Sequence, residues 1–157
     1  MCGIIGAAST RNVGKILVNG LKKMEYRGYD SAGLVLNKEN EAIQLRTLGK
    51  VSKLEELMAQ KKPRAKSGIA HTRWATHGEP SQTNAHPHSS KGSIYIVHNG
   101  IIENHDELRE KLSNEGYKIE SETDSELIAH LIHSCLLYTS DAADEGLGVD
   151  LGGRRII

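Results

Sequence analysis

The second residue of this chain is a cysteine, directly after Met1. A small residue at this position favours removal of Met1, and Cys2 would then carry a thiol and a free α-amine. A free α-amine has a pKa of about 7.7–8.0, so a useful fraction is neutral near pH 7 and can accept the thiol proton. The position therefore allows an N-terminal nucleophile with its own general base. Taken alone, these residues favour the alternative, a small apolar residue that begins a strand, and the rest of the chain changes that balance.

Polar side chains that suit an amino acid ligand follow predicted strands or begin a predicted helix. Arg73 could bind an α-carboxylate through two parallel hydrogen bonds, and Asp124 could pair with an α-ammonium group. Asn99 and the N–H of Gly100 could hold an oxyanion, which requires two donors that converge on one point. Loops at strand ends are where rigid scaffolds present such residues. The set indicates a site for a zwitterionic amino acid.

Each of these residues also has a structural interpretation. Arg73 could form a surface ion pair, which contributes little. Asn-Gly is a common turn dipeptide, so Asn99 and Gly100 could form a hairpin turn. Asp124 could serve only the dipole of a following helix, and Trp74 could be an ordinary core residue. Single matches of this kind are weak evidence, so the spacing alone does not choose between the two interpretations.

Composition limits the class of protein. The chain has 157 residues, enough for one domain with a core, and its 20 Lys and Arg balance 20 Asp and Glu. No basic excess indicates a nucleic acid or membrane partner, and no apolar run has the length of a membrane span. Two cysteines do not make a disulfide framework, and no signal peptide precedes them, so we expect a cytoplasmic protein.

The apolar pattern predicts a mixture of helices and strands. Strands are predicted over 2–8, 32–36, 42–48, 67–71 and 93–97, and helices over 13–24, around 54–58, over 106–115 and from 123 onward. Asn12 is the predicted N-cap of the first helix, and Thr123 with Glu126 forms a capping-box pattern at the last. Regular βαβ alternation is absent, so the pattern favours an α+β domain over a doubly wound parallel sheet.

Several segments together resemble one family closely, the glutaminase domain of the glutamine–fructose-6-phosphate aminotransferases, which is a class II glutamine amidotransferase domain. The matching segments are residues 2–6 (CGIIG), 26–33 (YRGYDSAG), 68–78 (GIAHTRWATHG), 84–88 (NAHPH), 98–104 (HNGIIEN) and 121–124 (SETD). The resemblance runs to about residue 134. It implies an N-terminal-nucleophile hydrolase fold, a four-layer αββα sandwich that is incomplete here because the chain is truncated.

The resemblance also implies roles for individual residues. In the family, the residue at Cys2 attacks the side-chain amide of L-glutamine, and Asn99 with Gly100 matches the oxyanion hole. Further residues match the substrate pocket, its closing loop and the surroundings of the nucleophile, namely Arg73, Trp74, Thr76, His77, Asp124 and, near the nucleophile, Arg27. Glutamate and ammonia are the implied products. A C-terminal sugar isomerase domain, absent here, would use the ammonia to convert fructose 6-phosphate to glucosamine 6-phosphate. No metal or other cofactor is implied.

The chain departs from the family after residue 134. We expect residues 1–134 to form a partial glutaminase domain and 135–157 to be a non-native tail. Reverse-translated, residues 135–145 and 148–157 resemble the two ends of a transposase-based sequencing adapter, with room for a sample index between them. No function is assigned to Cys135, Asp141, Asp144 or Arg154. Truncation is expected to leave apolar faces uncovered and sheet edges unpaired.

Two other classes of function compete with the enzyme. Eight histidines, with His86 and His88 as a close pair, allow a metal-binding module, although zinc sites usually show tighter sets of ligands. A catalytically inactive domain that still binds glutamine is the other alternative. The presence of Cys2, Asn99 and Gly100 argues against loss of chemistry, and the truncation argues for it.

Overall fold

A computed structural model describes residues 2–27, 29–38, 41–75 and 78–146, with the backbone alone for Arg27 and for 138–146. The strands are β1 Gly3–Ala8, β2 Ser31–Lys38, β3 Glu41–Leu48, β4 Ser67–Arg73, β5 His88–Ser90 and β6 Ile94–Ile96. The helices are α1 Gly14–Met24, α2 Val51–Lys61, α3 His105–Asn114 and α4 Ser125–Gly146, and a short 3-10 helix covers Glu25–Arg27.

Four strands form the first sheet in the order β1-β4-β2-β3, with antiparallel neighbours throughout. Gly3 of β1 lies opposite Thr72 of β4, and Ser31 of β2 lies opposite Arg73 on the other side. Both neighbours of β4 therefore begin where β4 ends. This register brings Cys2 and the loop before β2 to the same end of the sheet.

Helices α1 and α2 cover one face of the first sheet. Leu17, Val18 and Leu21 recur at helical spacing on the buried side of α1. The main core between these helices and the sheet consists of Val13, Leu17, Val18, Leu21, Ala32, Leu34, Leu36, Leu45, Val51, Leu54, Ala65 and Ala70. Each fully buried Leu or Val side chain contributes about 1.5–3 kcal/mol relative to an exposed one. This core is the rigid support of the sheet end that carries Cys2.

A second, smaller sheet and the remaining helices lie on the other side. Strands β5 and β6 are antiparallel, α4 packs against both, and α3 packs against α4. Leu112, Tyr117 and Leu127 form a second core cluster. The side-chain amide of Gln44 on β3 donates to the carbonyl of Pro87, just before β5, at 2.5 Å. The layers therefore run helices, sheet, sheet, helices, which confirms the predicted α+β αββα sandwich.

The interior between the two sheets is only partly filled. Within the described ranges the second sheet has two strands, against four in the first. A cavity of about 680 Å³ opens between Gly6, Val35 and Ile69 on the first sheet and Tyr95 on the second. This agrees with a sandwich that is incomplete. Searching the described helices for a segment long and apolar enough to cross a bilayer finds none.

One predicted helix start differs by a residue from the structure. Val13, not Asn12, is the N-cap of α1. The side-chain oxygen of Asn12 accepts hydrogen bonds from the backbone N–H groups of Gly14 and Ala65, at 3.3 and 3.2 Å. Asn12 therefore links the start of α1 to the segment before β4, a connection between distant residues that a local pattern does not contain.

The capping box predicted at the start of α4 is wrong. The helix begins at Ser125, and the Glu126 carboxylate accepts from the backbone N–H groups of Ser121 and Glu120, at 2.6 and 3.0 Å. The Thr123 hydroxyl contacts His88 Nε2 at 2.9 Å instead. Glu126 does accept from preceding backbone N–H groups, as the pattern predicted. The Thr123 hydroxyl contacts a histidine from a distant segment instead of capping the helix. Strand β5 was not predicted at all, because three residues carry too little periodicity.

Candidate active site

Cys2 is held from three sides at the end of the first sheet. The backbone N–H of Trp74 donates to the Cys2 sulfur at 3.1 Å, and the thiol lies 3.6 Å from the Trp74 carbonyl oxygen. The Asn99 side-chain nitrogen donates to the Cys2 carbonyl at 3.3 Å. The next residue, Gly3, donates its N–H to the buried Thr72 hydroxyl at 3.1 Å. These contacts fix the sulfur while Cys2 stays half-buried, so it is open to a ligand.

A cavity of about 510 Å³ opens beside Cys2. Its lining includes Cys2, His71, Arg73, Trp74, His86, His98, Asn99, Gly100, Ile101, Thr123, Asp124 and Ser125. Six residues singled out in the sequence therefore meet in one cavity, although they come from positions as far apart as 2 and 124. Thr76, His77 and the Arg27 side chain lie outside the described residues.

Arg73 is a buried residue, 4% exposed, so the surface ion-pair interpretation is wrong. Its guanidinium donates to the carbonyl of Gly78 at 3.1 Å and to that of Glu79 at 3.5 Å. The Asp30 carboxylate lies 3.8 Å from the same guanidinium and also accepts from the N–H of Ala75. Arg73 therefore offers a cation at the cavity wall and also organises the chain on both sides of 76–77.

Asp124 is also buried, 5% exposed, and its carboxylate does more than serve a helix dipole. One oxygen accepts from the N–H of Ile102 at 2.8 Å, and the other lies 3.3 Å from the Ser125 hydroxyl. His98 Nδ1 in turn lies 3.1 Å from the Ser125 hydroxyl. The carboxylate thus links the start of α4 to the segment that carries Asn99, and both line the cavity.

Asn99 and Gly100 do not form the hairpin turn that their sequence allows. Gly100 lacks the positive φ that a type I′ turn requires, and no strand follows β6 in the described part of the chain. A Cβ atom added at Gly100 would lie 2.6 Å from His98 Nε2, so a larger residue there would have to displace the His98 ring. The Asn99 side-chain oxygen meets His71 Nε2 at 2.7 Å.

Trp74 is not a core residue. Its side chain is 53% exposed and lines the cavity next to Cys2. Burying an aromatic side chain contributes strongly to binding, and an exposed one beside a cavity is available to a ligand or partner. Its backbone N–H is fixed on the Cys2 sulfur, so movement of the loop that carries it would also alter the surroundings of the nucleophile.

Three stacked histidines form a wall beside the cavity and were not predicted from the sequence. His71 and His86 line the cavity, and His88 packs against His86. The rings of His71 and His86 lie 4.2 Å apart, and those of His86 and His88 lie 4.4 Å apart. Burial lowers the pKa of His71 to about 4 and that of His88 to about 4, and burial with the neighbouring imidazoles lowers the pKa of His86 further. All three are therefore neutral at pH 7. The segment NAHPH was a signal only through the family resemblance.

The histidine wall does not resemble a metal centre. Among the described residues, no group of three His, Cys, Asp or Glu side chains is placed to hold an ion. His88 Nε2 is engaged by the Thr123 hydroxyl, and both ring nitrogens of His86 are buried with no hydrogen-bond partner in the described part of the chain. The imidazoles pack against one another by their faces and edges rather than pointing their nitrogens at a common point.

Asn84 and Glu122 form a hydrogen-bonded pair beside the loop that follows Arg73. The Asn84 side-chain oxygen accepts from the N–H of Glu122 at 2.9 Å, and its nitrogen donates to the Glu122 carboxylate at 2.9 Å. That carboxylate also accepts from the N–H of Glu79 at 3.2 Å. The pair joins the loop after Arg73 to the segment before Asp124. Neither residue was singled out individually, since such pairing depends on tertiary structure.

Comparison with known proteins agrees with this geometry. Residues 71–148 match the family model described as a glutamine amidotransferase domain. The chain is 62% identical over 145 residues to the glutamine–fructose-6-phosphate aminotransferase (isomerizing) of Haemophilus influenzae and 55% identical over 145 residues to that of Pseudomonas putida. Each alignment covers 92% of this chain and 24% of the relative. The chain thus spans about a quarter of the length of these relatives.

Solved structures show the same fold. A glutamine phosphoribosylpyrophosphate amidotransferase from B. subtilis, complexed with ADP and GMP, superimposes with a TM-score of 0.71 at 25% identity, over 85% of this chain and 29% of that one. A second structure, described as the allosteric regulatory enzyme of purine biosynthesis, gives a TM-score of 0.72 at 26% identity over the same shares. The fold and the site define an amidotransferase domain of the N-terminal-nucleophile type. Residues 71–148 match the glutamine amidotransferase domain family, and the sequence as a whole is similar to the N-terminal part of the glutamine–fructose-6-phosphate aminotransferases.

Proposed function

We propose that this domain hydrolyses the side-chain amide of L-glutamine to glutamate and ammonia, with Cys2 as the nucleophile. The observation that supports this most directly is the shared cavity. A sulfur, a carboxamide donor, a buried guanidinium and a buried carboxylate line one cavity of about 510 Å³. A thiol beside opposite charges suits an amino acid whose side chain carries a carbonyl group.

The proposed reaction uses these groups in sequence. The α-amine of Cys2, free once Met1 is removed, takes the thiol proton, and the sulfur forms a bond to the amide carbon. The negative oxygen of the tetrahedral adduct is held by Asn99 Nδ2 and the N–H of Gly100. The carbon–nitrogen bond then breaks, and the proton leaves with the nitrogen as ammonia. Water cleaves the remaining thioester, which releases glutamate and restores the thiol.

Substrate binding is assigned to the charged residues of the cavity. Arg73 binds the α-carboxylate and Asp124 binds the α-ammonium group of glutamine. Both side chains are at least nine-tenths buried, so their interaction with a ligand is screened less than at an open surface. Trp74, which lines the cavity, is also assigned to substrate binding. Thr76 and His77 are assigned to the pocket, and Arg27 to the surroundings of the nucleophile, on the family resemblance alone.

We also propose that the domain supplies ammonia within a longer protein. The aminotransferase relatives are about four times as long as the matched segment, and their name contains fructose 6-phosphate. A further domain would then bind fructose 6-phosphate and form glucosamine 6-phosphate. The two cysteines, Cys2 and Cys135, are unpaired, which suits a reducing cytoplasm.

We propose that the native sequence of this domain ends near residue 134 and that residues 135–157 are a non-native tail. The alignment with the Vibrio parahaemolyticus relative covers 133 residues, whereas those with the Haemophilus influenzae and Pseudomonas putida relatives cover 145, so alignment length alone does not place this boundary. Beyond Ser134, Leu136 and Leu137 are about half exposed, whereas Leu127 earlier on α4 is fully buried. Sequencing the source locus tests this directly. Family-like codons after that for Ser134 are expected, and an uninterrupted gene that encodes residues 135–157 would contradict the proposal.

The decisive experiment compares the full 157-residue chain with Cys2→Ala, after intact mass has shown whether Met1 is absent. We expect the unsubstituted chain to release glutamate from glutamine and Cys2→Ala to release none above background, because the nucleophile is lost. A Cys135→Ala variant is the matched control and should keep full activity. Retained turnover in Cys2→Ala would exclude the proposed nucleophile.

An inactive domain that binds glutamine remains the second candidate, since the space between the sheets is only partly filled. Calorimetric titration with glutamine, together with the same glutamate assay, separates the two. Binding without glutamate release by the unsubstituted chain would favour the inactive domain.

A further inference from the structure

We propose that His71 is a positioning residue that orients the Asn99 carboxamide so that its nitrogen, not its oxygen, faces the reacting centre. This rests on the proposed function, because it explains how one donor of the oxyanion hole is aimed. His71 lies on β4, 1% exposed, and its Nε2 is 2.7 Å from the Asn99 side-chain oxygen.

Hydrogen-bond donors and acceptors at both ends of the carboxamide determine its orientation. At one end, Asn99 Nδ2 donates to the Cys2 carbonyl oxygen at 3.3 Å. A rotated carboxamide would place its oxygen against that carbonyl, and two acceptors would face each other. At the other end, the oxygen needs a donor, and among the described residues a protonated Nε2 of His71 is the one that reaches it.

The state of the imidazole agrees with this requirement. Burial lowers the pKa of His71 to about 4, so the ring is neutral at pH 7 and carries a single N–H. Its Nδ1 is buried and has no hydrogen-bond partner among the described residues. A proton on Nδ1 would leave a buried donor unpaired and remove the donor to Asn99, whereas a proton on Nε2 satisfies Asn99 and leaves only an acceptor unpaired.

Neighbouring groups hold the ring in place. The imidazole of His86 stacks on that of His71 at 4.2 Å with an angle of 31° between planes. The register of β4 between β1 and β2 fixes the backbone of His71 opposite Ile4 and Gly33. The packing of the ring and the position of β4 therefore fix the direction of the His71 Nε2–H group. Asn99 lies in a loop, but its carboxamide is oriented by a residue of a rigid strand.

Three variants in the full chain test the role. His71→Leu removes the donor and keeps an apolar side chain of similar size. His71→Gln keeps an N–H donor at about the reach of Nε2, and His71→Asn offers one only at the shorter reach of Nδ1. We expect kcat for glutamine hydrolysis to fall on the order of 10- to 100-fold in His71→Leu, with KM little changed, because the loss acts on the transition state. His71→Gln should recover most of the activity, and His71→Asn should not.

Two further measurements separate positioning from a general structural effect. Alkylation of Cys2 by iodoacetamide develops no oxyanion at the site, so its rate should be unchanged in His71→Leu. In an Asn99→Ala background, His71→Leu should change kcat less than about 3-fold, because its effect passes through Asn99. Equal loss in His71→Leu and His71→Gln, or parallel loss of alkylation and hydrolysis, would overturn the proposal. His133→Leu, which loses a hydrogen bond to Tyr117 far from the cavity, serves as the control.

Two readouts do not depend on turnover. Nitrogen-15 NMR should show the Nε2–H form of His71 at pH 7, and the Nδ1–H form would refute the proposal. An aldehyde analogue of glutamine should form a tetrahedral adduct with Cys2, bound 10- to 100-fold more weakly by His71→Leu than by His71→Gln. The two variants could bind this analogue in that order while the unsubstituted chain releases no glutamate. In that case the proposed turnover fails and the role of His71 stands.

Discussion

Individual residues of the cavity have two tasks, and Arg73 is the clearest case. Its guanidinium is placed to bind a carboxylate, yet it also donates to the carbonyls of Gly78 and Glu79 and lies beside Asp30. Since Asp30 also accepts from the N–H of Ala75, the cation, the loop and the nucleophile's neighbour Trp74 are connected. A change at Arg73 therefore alters binding first and the position of the loop second.

At this scale we predict that Arg73→Lys raises KM for glutamine at least about 10-fold and lowers kcat less. Lysine keeps the charge but cannot make the planar, two-pronged contact of a guanidinium. Steady-state kinetics of glutamate release measure both constants. Lys22→Ala, which loses an exposed ion pair with Glu55, is the control and should leave both constants unchanged. A fall in kcat alone would contradict the assignment of Arg73 to substrate binding.

Elements position the histidine wall through close backbone contact. Strand β2 passes directly under the segment that carries His86, and Gly33 is the point of contact. A Cβ atom there would lie 2.1 Å from the His86 carbonyl oxygen and 2.9 Å from that of Leu45. Both neighbours are backbone atoms, which cannot rotate away. Gly33 therefore lets the second layer approach the first sheet and places His86 on His71.

The matching prediction is that Gly33→Ala lowers the free energy of unfolding by about 3 kcal/mol, since overpacking that displaces backbone is costly. Urea unfolding measures this. Gly6→Ala on β1 is the control, because its Cβ would meet nothing closer than Ile69 Cγ2 at 3.9 Å. That variant should be as stable as the unsubstituted chain or slightly more so. Equal stability of the two variants would show that the layers can separate at little cost.

For the whole molecule, buried neutral histidines make stability depend on pH. Burial lowers the pKa of His71 and of His88 to about 4, and lowers those of His86 and His130 too, compared with about 6.5 in an unfolded chain. Between these values the unfolded chain binds protons that the folded chain does not. The contribution to stability is therefore complete above about pH 6.5 and is lost as the pH falls towards 4.

We expect the free energy of unfolding to fall as the pH is lowered from 7 to 5, by up to about 1.4 kcal/mol per pH unit for each such histidine. Urea unfolding at several pH values tests this. His88→Gln should reduce the dependence of the unfolding free energy on pH by about the contribution of one histidine. Stability that is constant over this range would mean that the wall is hydrated rather than buried.

Much of this architecture was accessible from local sequence. The strands around residues 32–48, the strand that ends at Arg73 and the helix that ends at Met24 follow from apolar periodicity, and the structure confirms them with ends shifted by at most two residues. The chemical types at Cys2, Arg73, Asn99 and Asp124 follow from the residues themselves. Strand β5 and the bonds of Asn12 and Glu126 did not follow, because short elements and long-range hydrogen bonds have no local period.

The amino-acid sequence by itself determined which chemistry is available: a thiol at position 2, a guanidinium, a carboxylate and a carboxamide next to a glycine. Only the tertiary structure decided that Arg73 and Asp124 are buried, that Trp74 is exposed and that His71 faces Asn99. The reason is physical. Residue types and periodicity act over a few neighbours, whereas burial and hydrogen-bond partners depend on how β1, β2 and β4 pair and on what packs against them.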